Sequence, residues 1–221
     1  MSQELIHVYL MPGMAASPLI FENIKFPEDK FKVHHLEWII PFENESLTNY
    51  ALRMTKFIKN DNVVLLGVSF GGVLVQEMSK HINVRKLIIV SSVKSKKEIP
   101  KHMQLAAATG VYKLLPTQLA SKIDVLEKYA FGKNFTKRLK LYKKYLSVND
   151  NQYLSWAIKQ MVNWNQAEPP TGIIHIHGED DAVFSISNIT DCITIPKGTH
   201  IMIINKYKWF NQHLADIILE N

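Results

Sequence analysis

The sequence predicts an α/β fold: a mostly parallel sheet of about six strands flanked by helices, with one helical block inserted. Three observations carry that prediction. Short runs of β-branched and apolar residues alternate with helical patterns over both ends of the chain. Those runs are nearly continuous in apolar character, as strands covered on both faces must be. Between Lys96 and Gln166 the alternation stops, and apolar residues recur three and four apart.

The elements follow in order. Leu5 to Leu10 reads as a first strand, ended by Pro12-Gly13, and Phe31 to Trp38 as a second. A helix begins after Ser46, which is suited to cap it, and runs to about Lys59. Val63 to Val68 is a third strand, Gly71 to His81 a helix, and Arg85 to Ser92 a fourth strand. The helical block, broken up by Pro100 and Pro116, sets Tyr129, Phe135, Leu139, Tyr142 and Leu146 at a helical spacing. Strands resume at Gly172 to Gly178 and at Cys192 to Ile195, where Cys192 reads as a small core hydrophobe. A last helix spans Lys206 to Leu219. The expected division is a core of residues 1–94 and 167–221 and a helical lid of residues 95–166. Insertions at the carboxyl edge of such a sheet lie over its ligand crevice.

At 221 residues, 47% of them hydrophobic and 21% charged, the composition is that of an ordinary globular chain with one substantial core. No apolar run reaches the roughly 18–20 residues needed to span a bilayer. The start lacks the basic flank and apolar core of a signal peptide, and the single cysteine cannot form an internal disulfide, so a cytoplasmic location is expected. The net charge of +6 is uneven, with 13 Lys/Arg against 3 acidic residues between Lys94 and Lys144. That segment reads first as a solvated lid face. Its alternative is a surface that attracts an anionic substrate, such as a phosphate-bearing thioester or a carboxylate. No nucleic-acid motif accompanies the charge, so no nucleic-acid partner is expected.

The chemistry is concentrated in Gly67-Val68-Ser69-Phe70-Gly71, at the end of the third strand and the start of a helix. This is the form of a nucleophile elbow, a tight turn that exposes a serine in a strained pose. A Cβ at Gly67 or Gly71 would crowd the neighbouring strand and helix, and the helix N-terminus favours developing negative charge. Acyl transfer by serine also needs a base, an acid to orient the base, and donors for the oxyanion. His177-Gly178-Glu179-Asp180-Asp181 places acids in a loop after a strand, and Gly198-Thr199-His200 places a histidine after the next. His175 and His177 stand on one face of a strand and could be pictured as metal ligands. With no carboxylate or cysteine at ligand spacing, they read instead as a support for the acid loop and a packing residue. No metal or cofactor is expected.

In this order and spacing the pieces resemble the α/β-hydrolase-fold serine hydrolases, across essentially the whole chain. They are Pro12-Gly13-Met14, the Ser69 elbow, His177-Gly178-x-x-Asp181 and Gly198-Thr199-His200. The resemblance implies Ser69 as nucleophile, His200 as general base and then acid, and Asp181 as the residue that orients His200. It implies an oxyanion hole formed by the backbone N–H groups of Phe70 and Met14. Asp180 competes with Asp181, and the spacing from His177-Gly178 favours Asp181. The chain departs from the family pattern in three ways. Pro12-Gly13 stands where many members carry His-Gly, the antiparallel hairpin before the first parallel strand is missing, and only 19 residues separate Asp181 from His200.

Tyr112, Trp156 and Trp164 suit the core of the insertion or a pocket wall equally. Trp38, at the end of the second strand, is placed at the active-site edge; Trp38 and Trp164 are the pocket candidates. The resulting expectation is an esterase or thioesterase acting on a small-molecule substrate with a small to medium acyl chain, through an acyl-enzyme. The alternatives are carbon–carbon or amide cleavage, a lyase reaction, or a ligand-binding sensor that keeps the triad.

Overall fold

The computed structural model describes residues 4–114, 144–146 and 148–220. Six strands form one parallel sheet in the order β2-β1-β3-β4-β5-β6. They are β1 (Ile6–Met11), β2 (Phe31–His35), β3 (Val63–Val68), β4 (Lys86–Val90), β5 (Ile174–Gly178) and β6 (Ile193–Ile195). The α-helices named among the described residues are α1 (Leu47–Thr55), α2 (Phe70–Met78), α3 (Lys101–Thr109), α4 (Asn151–Asn163), α5 (Met202–Asn205) and α6 (Tyr207–Leu219). Every residue of β3 is buried because alternate side chains enter two different cores. Val63 and Leu65 join Tyr50, Met54, Leu74, Tyr153 and Trp156 of α1, α2 and α4 on one face. Val64, Leu66 and Val68 join Phe210, Leu214 and Ile218 of α6 on the other. Each such side chain contributes about 1.5–3 kcal/mol on burial.

Local signals set the helix ends. Ser46 Oγ accepts from Asn49 N at 3.2 Å and caps α1, which buries Leu47, Tyr50, Ala51 and Met54 along one stripe. β1 leaves the sheet centre for β2 on one side, and β3 continues on the other. The loops after β1 and β3 therefore open a crevice at the reversal of strand order, where ligands of open α/β sheets bind.

Two ends differ from expectation. β2 stops at His35: Leu36 N still reaches Leu10 O at 3.0 Å, after which Trp38 turns inward. Cys192 stands one residue before β6 and is half-buried, because β6 is an edge strand that buries only Ile195. In the stretch 95–166, α3 packs on α4, and α4 is anchored in the core through Tyr153, Leu154, Trp156, Ala157 and Met161. The helical spacing read at Tyr129, Phe135, Leu139 and Tyr142, and most of the basic segment, lie outside the described residues. Among the described residues no helix is long and apolar enough to cross a membrane.

Candidate active site

The elbow is held from several sides. Ser69 sits at φ 53, ψ −123, a backbone conformation costly for a residue with a side chain. Its N–H donates to Val90 O at 2.9 Å, and its carbonyl accepts from Gly72 N at 2.8 Å and Ser92 Oγ at 2.7 Å. A Cβ on Gly67 would overlap the Gly71 carbonyl, and one on Gly71 would overlap the Pro12 carbonyl. Strand, helix and the loop after β1 thus close on one another only through these two glycines.

Ser69, His200 and Asp181 come together in one line. Ser69 Oγ is 2.9 Å from His200 Nε2, and His200 Nδ1 is 2.9 Å from Asp181 Oδ2. Asp181 accepts only, so Nδ1 carries the imidazole proton and Nε2 offers its lone pair to the serine hydroxyl. Asp181 Oδ1 also accepts from Val183 N at 2.8 Å and Phe184 N at 2.9 Å. Burial alone would raise the Asp181 pKa. The hydrogen bond and charge of His200, with the Phe184 N–H and His177, outweigh it and hold the carboxyl below its ordinary value. Asp180 is exposed, and its N–H ties the acid loop to the histidine loop through Gly198 O at 2.8 Å.

The two histidines of β5 bond to each other at 3.1 Å instead of opening onto a shared site. His177 Nε2 donates to Phe184 O at 2.8 Å, so its Nδ1 must accept from His175 Nε2. Burial, with the nearby His177 and Lys94, pushes His175 down to about 3, and burial also lowers His177. The pair is neutral and braces the turn that holds Asp181. Among the described residues no group of three His, Cys, Asp or Glu could hold a metal ion.

Ser69 and His200 open onto a cavity of about 590 Å³ walled by Met14, Met103, Ala106, Ile158, Val183 and Ile204, among others. No Lys, Arg, Asp or Glu is among its described lining residues, which do include Tyr112. Met14 and Phe70 both line the cavity, and their N–H groups have no hydrogen-bond acceptor among the described residues.

The two tryptophans expected in the pocket wall stand elsewhere. Trp38 lies beneath the loop after β1, donating Nε1–H to Gly13 O at 2.8 Å and stacking on Phe70. Trp164 is buried behind α2, its Nε1–H donating to Glu77 Oε1 at 2.9 Å. In each case the buried indole N–H needs an acceptor, and the acceptor available draws the ring away from the cavity. Trp156 is likewise core, donating to Glu45 O at 2.7 Å. Sequence reasoning missed Ser92 on the elbow and Tyr153, whose hydroxyl accepts from Ala15 N at 3.3 Å. Ser92, at the end of β4, had a positional signal; Tyr153 had none.

No family model matches the chain, and no curated protein matches it in sequence. Solved structures match it in shape over nearly its whole length. An esterase from Exiguobacterium antarcticum is 17% identical, with 100% of this chain and 94% of that chain covered at a TM-score of 0.64. A bromoperoxidase from Bacillus anthracis is 14% identical, covering 99% and 93% at 0.69. The enol-lactonase from Burkholderia xenovorans LB400 is 12% identical, covering 98% and 92% at 0.69. At such identities the likeness is one of architecture, and it agrees with the sheet order and the elbow described above: the chain has the α/β-hydrolase fold.

Proposed function

We propose that the chain is a serine hydrolase that cleaves carboxylic esters or thioesters through an acyl-enzyme. The observation that carries this reading is the unbroken line Ser69–His200–Asp181, with both contacts at 2.9 Å, at the floor of an apolar cavity. Ser69 Oγ attacks the substrate carbonyl while His200 Nε2 takes its proton. The N–H groups of Phe70 and Met14 receive the oxyanion, and Phe70 lies at the N-terminus of α2, where the helix dipole adds to the effect. The imidazolium, stabilised by Asp181, then protonates the departing alkoxide or thiolate. Water, deprotonated by His200, attacks the acyl-enzyme and releases the acid and free Ser69.

The uncharged walls among the described residues favour an uncharged acyl group over the anionic one that the basic segment offers as an alternative. In this reading α3, which lines the cavity through Met103 and Ala106, serves as part of the lid of the crevice. The test is labelling of the native protein with a fluorophosphonate, followed by a series of p-nitrophenyl esters. Stoichiometric modification at Ser69, lost on denaturation, is expected. With each methylene worth about 0.8 kcal/mol, kcat/KM rises about fourfold per added carbon until the cavity is filled. A chain ending in a carboxylate falls well below its uncharged counterpart. Absence of labelling in well-folded protein refutes the proposal.

A further inference from the structure

The orientation of the Gly13–Met14 peptide has a cause outside its own loop. Gly13 O accepts from Trp38 Nε1 at 2.8 Å and from Ala16 N at 3.1 Å. The peptide is trans, so its carbonyl and its N–H point in opposite directions. A carbonyl fixed on the indole therefore turns the Met14 N–H away from Trp38, and Met14 lines the cavity. Ser69 is close to this peptide: a carbon added to Gly13 would stand 3.4 Å from Ser69 Cβ. The next two peptides are held as well: Ala15, at φ 62, donates its N–H to Tyr153 Oη, and its carbonyl accepts from Val148 N at 3.1 Å.

We infer that Trp38 is a positioning residue for the oxyanion site. Its indole N–H fixes the Gly13–Met14 peptide, and by bonding the carbonyl it polarises the amide so that the Met14 N–H becomes a stronger donor. The same ring stacks on Phe70, with centroids 5.3 Å apart and planes 10° apart, so one side chain braces both donor residues. Trp38 is 8% exposed and does not line the cavity, and it acts on the reaction without touching substrate. This inference rests on the reading of Ser69 as nucleophile given above.

Two variants test it. Trp38→Phe removes the donor and some volume. Replacement of Trp38 by 3-benzothienylalanine puts sulfur in place of the N–H and keeps the ring shape, so packing and Phe70 stacking persist. The readouts are kcat and KM on p-nitrophenyl butyrate, and affinity for an alkyl trifluoromethyl ketone, which adds to Ser69 and places its oxyanion where the substrate's would form. Both variants are expected to lower kcat roughly ten- to a hundredfold, below the cost of deleting an oxyanion donor outright. KM stays within about twofold, and ketone affinity falls by the same factor as kcat. A benzothienyl protein with wild-type kcat and ketone affinity, when the wild type labels at Ser69 with a fluorophosphonate, overturns the role of Trp38 alone. A folded wild type that neither labels nor turns over esters overturns the hydrolase reading, and this inference with it.

Discussion

Asp181→Asn separates geometry from charge at the centre of the proposed mechanism. Asp181 Oδ1 takes the Val183 and Phe184 N–H groups at 2.8 and 2.9 Å, and an asparagine carbonyl can keep that place. The amide NH₂ then stands where Oδ2 met His200 Nδ1 at 2.9 Å. Two N–H donors cannot face each other, so the imidazole moves its proton to Nε2, and His200 presents a donor to Ser69 instead of a lone pair. The nucleophile then has no base, although every heavy atom is in place. Loss of the right tautomer in such a triad costs about 10⁴ in kcat, close to 5.4 kcal/mol of transition-state stabilisation at about 1.36 kcal/mol per decade. The assay is the rate of fluorophosphonate labelling by intact mass together with kcat/KM on p-nitrophenyl butyrate. Circular dichroism confirms the fold, and Asp180→Asn is the control, expected within about twofold of wild type. A folded Asp181→Asn protein within tenfold of wild type refutes the assignment, as does an equal loss in Asp180→Asn.

Two further outcomes follow from the same geometry. Ser69→Gly relieves the elbow at φ 53, so it is expected to abolish labelling while adding roughly 1 kcal/mol of stability. That corresponds to a rise of about 2–4 °C in Tm for a chain of this size, and a lower Tm would show the elbow to be unstrained. His175 is held at about 3, chiefly by burial, and an unfolded imidazole titrates near 6.5. Between those values the unfolded chain binds a proton that the folded chain refuses, so stability falls as pH falls, by about 1.4 kcal/mol per pH unit from this residue. His177, also depressed, steepens that loss; the Asp181 contribution, from a lowered carboxyl, is present above its unfolded pKa and goes only at lower pH. His175→Gln keeps an N–H toward His177 but cannot titrate, and should flatten Tm against pH between about 4 and 6.5; an unchanged slope refutes the reasoning.

Residues 63–71 announce themselves because everything they need is local: continuous apolar character, two small positions and a turn. The acid and histidine loops are legible for the same reason, as short strand-end motifs in a fixed order. Strand ends are less so. That β2 halts at His35 depends on the turn of Trp38, and that β6 exposes Ile193 and Thr194 depends on its having only β5 as a partner among the described residues. Trp38 shows most clearly what pattern cannot carry. Read as one more large apolar ring at a sheet edge, it suits a pocket wall; its one polar atom decides otherwise, through a contact with Gly13 across 25 residues. The same holds for its neighbours. Trp156, Trp164, Tyr50 and Tyr153 all count as core by hydropathy, and each places its polar tip on one partner: Glu45 O, Glu77 Oε1, the Ile39 backbone and Ala15 N. Of these five tips only those of Trp38 and Tyr153 meet the loop after β1, at the carbonyl before Met14 N and at the amide after it. A hydrophobic cluster is indifferent to how its rings are turned, whereas these two bonds fix both peptides beside one amide. This loop carries Pro12-Gly13 where many of the α/β-hydrolase-fold enzymes that the sequence resembles carry His-Gly. Its Pro12-Gly13 has no side-chain donor of its own, so the brace for the loop must come from elsewhere in the fold, and Trp38 is placed to supply it.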